Sequence, residues 1–190
     1  MGATWKHKTM FASSFVDNNF QNLLNSAGVE TYSVDYDIND TFPEVVDQCK
    51  NFKVDYIMGY SFGCFPAVAC LNENAKGLIL VDPDAIVDHT QKKYIEDVDT
   101  ANKFFDDDIK NKNAVITKTL DFSLLKPVKQ KTLFLFSEYG YSKNNLDNPR
   151  NVFMNIPNKT TSVIPDSSHY VMIEPSRLNA FDTIMEFMNA

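Results

Sequence analysis

The sequence predicts an α/β fold, a doubly wound and mostly parallel six-stranded sheet, in one domain that spans residues 1–190. Three observations lead there. Short apolar segments alternate with amphipathic helical ones along the chain, the pattern of strands joined by helical crossovers. Gly77 to Val81 reads GLILV, apolar throughout, as a parallel strand covered on both faces must be. A third apolar segment, Val54 to Met58, runs into Gly59-Tyr60-Ser61-Phe62-Gly63 and then into small residues. A strand, a tight glycine-flanked turn and a helix in that order are one βα unit. Right-handed crossovers then place helices on both faces of the sheet.

The other elements follow in order. Lys8 to Ala12 is a short strand. Asp17 can cap a helix in which Phe20, Leu23, Leu24 and Ala27 recur at i, i+3, i+4 and i+7. Gly28 ends that helix as a left-handed cap. Thr31 to Tyr36 is the second strand, and Thr41-Phe42-Pro43-Glu44 is a capping box. The helix it opens carries Val45, Val46, Cys49 and Phe52 on one face. After the third strand, Val54 to Met58, and GLILV, residues 84–130 break the alternation. This stretch is polar, with acidic residues from Glu96 to Asp108 and scattered apolar anchors such as Phe104, Phe105 and Leu120. An insertion of that length between strands predicts a helical lid. Lys131 to Phe136 is the fifth strand, Leu146 to Asn155 a short helix and Thr160 to Ile164 the sixth strand. Pro175 starts a final helix with Leu178, Phe181, Ile184, Met185 and Met188 on a shared face.

Composition narrows the class. At 190 residues with 44% hydrophobic content, the chain can bury a sizeable core. A formal charge of −7 argues against a nucleic-acid partner, which needs a basic surface. Cys49, Cys64 and Cys70 have no metal spacing and sit in apolar periodic segments. They read as reduced core residues, which points to the cytoplasm. No apolar run approaches membrane-spanning length, and the first residues lack a secretory apolar region. No metal or cofactor is expected.

The chemistry is expected at carboxyl ends of strands, where open α/β sheets bind their ligands. Gly59-Tyr60-Ser61-Phe62-Gly63 is a nucleophile elbow, and two of only six glycines flank its serine. Such a turn lifts the hydroxyl above the sheet, and the helix after it aims N–H groups at a developing oxyanion. Serine needs a neutral imidazole to take its proton, and the imidazole needs an orienting carboxylate. The chain has three histidines. His7 precedes the first strand and His89 lies in the insertion, which leaves His169, after the sixth strand, as the base. Asp82 directly follows the fourth strand. Cys64 lies inside the elbow helix, where a packing role outweighs a nucleophilic one.

The chain resembles the α/β-hydrolase superfamily, trimmed of its first antiparallel hairpin, and within it the thioesterase domains of nonribosomal peptide and polyketide synthases. The residues that carry the likeness are GYSFGC (Gly59 to Cys64), LILVDP (Leu78 to Pro83), SSHYVMIEP (Ser167 to Pro175) and YSVDYD (Tyr32 to Asp37). The resemblance implies a minimal α/β-hydrolase fold with Ser61, Asp82 and His169 as a triad. Most members place the acid after the next-to-last strand, where Gly140 stands here, whereas thioesterase domains often use the position of Asp82. Glu138, also at a strand end, is the alternative acid, and Asp84 and Asp166 remain further ones. The backbone N–H of Phe62 and one from Ser14 or Ser13 would form the oxyanion hole. Many relatives have His-Gly in that first loop, and this chain has Ala12-Ser13-Ser14-Phe15.

The function so implied is hydrolysis of a small acyl thioester through an acyl-serine, with release of an acyl or peptidyl group from a phosphopantetheine carrier protein. Lys92, Lys93, Lys110 and Lys112 in the insertion would offer that carrier a basic patch. A small carboxylesterase, and a non-catalytic binding protein on the same fold, are the alternative readings.

Overall fold

The structure, a computed structural model, describes residues 8–12, 18–34, 40–83, 119–140, 153 and 155–190. Among the described residues, six strands form one sheet: β1 (Lys8–Ala12), β2 (Glu30–Ser33), β3 (Tyr56–Tyr60), β4 (Gly77–Val81), β5 (Lys131–Ser137) and β6 (Lys159–Ile164). Their order is β2-β1-β3-β4-β5-β6, and every neighbouring pair is parallel. The chain therefore starts in the interior of the sheet, winds outward through β2, then returns past β1 and winds the other way. That reversal makes the crevice between the ends of β1 and β3 the natural ligand position.

Four helices flank the sheet among the described residues: α1 (Asn18–Ser26), α2 (Phe42–Cys49), α3 (Cys64–Ala69) and α4 (Arg177–Asn189). Strand alternation sorts the core into two layers. Ile57, Leu78, Leu80, Phe134 and Phe136 pack with α2 and α3. Tyr56, Met58, Tyr60, Ile79, Val81, Leu133 and Leu135 pack with Phe20 and Leu24 of α1 and Ala180, Ile184 and Met188 of α4. Burial on both faces is why β3 and β4 contain no exposed residue.

Local signals hold where a side chain or a backbone angle enforces them. Gly28 sits at φ 85° and closes α1. Glu44 reaches back to accept from the Thr41 N–H and hydroxyl, each at 2.7 Å. Cys49, Cys64 and Cys70 are all buried.

Three expectations need correction. β2 ends at Ser33 rather than Tyr36. β3 lies two residues later than read, from Tyr56 through Tyr60, because its ladder with β4 continues across Gly59 to pair Tyr60 with Val81. The chain thus turns only at Ser61. On α4, Leu178 is 54% exposed, and Ala180 takes its place on the buried face with Ile184 and Met188. Most of the expected lid, residues 84–118, lies outside the described residues, as do residues 146–152 and 154 of the expected short helix. Thr119 lies at the start of α2, where the Phe42 N–H donates to its hydroxyl at 2.8 Å.

Candidate active site

Ser61 follows β3 directly and opens a single 3₁₀ turn, Ser61–Gly63, that leads into α3. Its φ is 53°, a left-handed conformation costly for a residue with a Cβ and typical of a site where the surrounding structure enforces it. The enforcement is visible at Gly59. A Cβ there would lie 2.6 Å from the Cys64 Cα and 2.6 Å from the Gly63 carbonyl oxygen. Only glycine lets α3 double back this tightly over β3. The early N–H groups of a helical turn have no intrahelical acceptor, and that of Phe62 lies beside the serine. Ser14, the other expected oxyanion donor, is outside the described residues, together with Ser13.

His169 lies in the segment after β6, which Val171 and Met172 plug into the core. The neighbouring Ser168 is clamped by Glu174, which accepts from the Ser168 N–H at 3.0 Å and from its hydroxyl. The Ser176 hydroxyl adds a third bond to that carboxylate at 3.3 Å. The imidazole is 17% exposed. Its Nε2 is 2.9 Å from the Ser61 Oγ, and its Nδ1 is hydrogen-bonded to the Asp82 Oδ2.

Asp82 begins immediately where β4 ends and is completely buried. Its N–H donates to the Leu135 carbonyl at 2.7 Å, which extends the sheet ladder by one step. Its φ of 41° swings the side chain across the top of β5. There Oδ1 accepts from the Ser137 N–H at 3.3 Å, leaving Oδ2 for His169. A buried carboxylate without such donors would be strongly disfavoured.

Three residues from three strand ends, far apart in sequence, thus form one hydrogen-bonded line from Ser61 through His169 to Asp82. Glu138 does not join it. That carboxylate accepts from the Asp166 N–H at 2.9 Å and ties the end of β5 to the turn after β6. Asp166, at φ 51°, faces the exposed Tyr139 hydroxyl at 3.5 Å. Asp84 lies outside the described residues. Cys64 is fully buried with its Sγ 3.8 Å from the Val81 carbonyl oxygen. Among the described residues, no group of three or more His, Cys, Asp or Glu side chains could hold a metal ion, and no helix is long and apolar enough to cross a membrane.

Sequence reasoning missed Tyr60. Its ring stacks on the His169 imidazole, with centroids 5.4 Å apart and planes at 25°, and its hydroxyl donates to the His169 carbonyl oxygen. Burial, and then the nearby Asp82, push the Tyr60 phenol well above its ordinary pKa, so it stays a neutral donor. The available signal was period-2 alternation, which puts Tyr60 on the same sheet face as Met58.

No protein-family model matches this sequence, and no curated protein matches it. Solved structures do. The Francisella virulence factor BioJ superposes with a TM-score of 0.69 at 15% identity, covering 100% of this chain and 78% of its own. A carboxylesterase of the thaumarchaeon Nitrososphaera gargenis gives 0.67 at 14% identity, covering 100% and 92%. The thioesterase domain from the curacin biosynthetic pathway gives 0.64 at 10% identity, covering 97% and 92%. A metagenomic protein described as an alpha/beta hydrolase, from lagoon sediments at Mar Chica, Morocco, gives 0.65 at 13% identity, covering 99% and 92%. The chain has the α/β-hydrolase fold.

Proposed function

We propose that this protein is a serine hydrolase that cleaves acyl esters or thioesters through a covalent acyl-Ser61 intermediate. The observation that carries the reading is the unbroken hydrogen-bonded line from the Ser61 Oγ to the His169 Nε2, and from the His169 Nδ1 to Asp82.

Asp82 holds the tautomer in which Nδ1 carries the proton, so that Nε2 presents a lone pair to Ser61. As the Ser61 oxygen bonds to the substrate carbonyl carbon, its proton passes to Nε2. The carbonyl oxygen becomes an oxyanion, stabilised by the Phe62 N–H and by a second donor from the loop after β1, for which Ser14 is the candidate. Collapse of that tetrahedral species breaks the bond to the leaving group, which departs with the proton from Nε2. Water then repeats the sequence: it gives a proton to His169, attacks the acyl carbon and releases the acid and free Ser61. Asp82 stays a carboxylate throughout and stabilises the imidazolium between the two transfers.

Within this reading we favour a thioester substrate, including an acyl or peptidyl group carried on a phosphopantetheine arm. Its support is the position of Asp82 after β4 together with the likeness to the thioesterase domain. A small carboxylesterase is the second reading, favoured by the likeness to the carboxylesterase and to a thermophilic esterase from Thermogutta terrifontis, at 14% identity and a TM-score of 0.66. A panel of acyl thioesters and oxyesters with matched acyl groups separates them. A thioesterase shows higher kcat/KM on the thioester at every acyl length, and an esterase shows the reverse.

A further inference from the structure

We propose that Tyr60 is a positioning residue that holds the His169 imidazole against its two partners, gripping the histidine at its ring and its backbone together. The consequence for turnover rests on the acyl-Ser61 reading. The consequence for the imidazole itself does not.

His169 lies on an irregular segment with no ladder of its own, so its ring orientation has to be fixed by contacts. The line to Asp82 and Ser61 fixes only the two nitrogens, both in the plane of the ring. Tilting out of that plane is opposed by the Tyr60 ring, parallel within 25° at a centroid distance of 5.4 Å. Sliding of the backbone is opposed by the Tyr60 hydroxyl, bonded to the His169 carbonyl oxygen. Both restraints originate in β3, a central strand paired on both edges. Tyr60 is itself buried, with 8% of its surface exposed. The base is therefore registered against the same rigid strand whose next residue is Ser61.

Charge adds a second effect. When His169 takes the Ser61 proton, a cation forms against an aromatic face, and such faces attract cations. The attraction is absent in the resting state and grows toward the transition state. It therefore raises kcat rather than tightening substrate binding. The ring supplies this effect and the hydroxyl does not, so the two functions separate by mutation.

The test compares the full-length wild type with Tyr60→Phe and Tyr60→Leu, using p-nitrophenyl butyrate turnover and the proton NMR signal of the His169 Nδ1–H, assigned by its loss in His169→Gln. Tyr60→Phe keeps the ring, and its kcat falls about fivefold, the scale of one lost hydrogen bond. Tyr60→Leu loses both restraints, and its kcat falls about a hundredfold, the scale of a misplaced catalytic group. KM stays within about threefold for both, since neither side chain binds substrate. The Nδ1–H signal remains sharp in wild type and Tyr60→Phe and exchanges away in Tyr60→Leu. A folded Tyr60→Leu with wild-type kcat and a sharp Nδ1–H overturns the proposal. If that variant does not fold, an unchanged kcat in Tyr60→Phe overturns it. If wild type turns over neither p-nitrophenyl butyrate nor a butyryl thioester, the hydrolase reading falls, and the Nδ1–H comparison alone decides the role of Tyr60.

Discussion

A methyl group added at Gly140 would lie 2.7 Å from Oδ2 and 2.9 Å from Oδ1 of Asp82. The carboxylate that starts from the end of β4 therefore occupies the space into which a side chain after β5 would project. Two strand ends converge on one point beside the His169 Nδ1, and only one of them can supply the group that fills it. Asp82 does so here, and residue 140 has to be glycine to leave it room.

Gly140→Ala is accordingly predicted to act through Asp82. The nearer obstacle is a side-chain end that can swing away, although the Ser137 Cβ at 2.9 Å also resists, so the stability cost is about 1–3 kcal/mol. Displacing the carboxylate by about an ångström costs on the order of 10² in kcat. In an Asp82→Ala background the same substitution should change kcat little, because the group it disturbs is already gone. Equal losses in both backgrounds would show that Gly140 acts by another route.

The proposed role of Asp82 as the acid is tested by amide replacement. Asp82→Asn keeps the shape but favours the wrong imidazole tautomer, with a loss on the order of 10⁴ in kcat. Glu138→Gln removes only part of a contact between β5 and the Asp166 turn and is expected to stay within about tenfold. Both variants are compared at matched folded fraction. A crippled Glu138→Gln beside an active Asp82→Asn would move the acid to β5.

How much of this could be read from residues differs by element. The tight turn at Ser61 is legible because it needs glycines at fixed offsets, and close packing at Gly59 is a local property of the turn. The place of His169 beside Ser61 is legible because the chain has only three histidines. Asp82 is harder. Asp82, Glu138 and Asp166 all stand just past strand ends, and what separates them is how far each reaches across a neighbouring strand, a property of φ and register. Tyr60 was lost to a two-residue error in β3: with the strand ended at Met58, Tyr60 became part of a turn and its side-chain direction was undefined. Periodicity places Leu178 only at the rim of α4's apolar stripe, and the buried face is centred on Ala180, Ile184 and Met188. The basic residues expected to receive a carrier protein, Lys92, Lys93, Lys110 and Lys112, lie outside the described residues.

The capping box at α2 makes a pH prediction. The hydrogen bonds from the Thr41 N–H and then its hydroxyl lower the Glu44 pKa from its ordinary 4.5. A lowered carboxyl pKa means the folded state favours the ionised form. Its contribution is fully present above pH 4.5 and fades as pH falls through the folded value. Glu44→Gln should therefore lower the urea midpoint at pH 7, with the gap to wild type closing as the pH drops below 4.5. A gap that persists unchanged in acid would assign the loss to packing rather than to charge.

The proposed hydrolase depends on Ser61 acting as a covalent nucleophile that His169 activates. A fluorophosphonate forms a stable adduct with such a serine, and mass spectrometry of the digested protein locates it. Wild type should gain one adduct, on the peptide containing Ser61. Ser61→Ala should gain none, with kcat down on the order of 10⁶, and His169→Ala should label slower by orders of magnitude. An adduct on another residue, or ester turnover retained by Ser61→Ala, would contradict it.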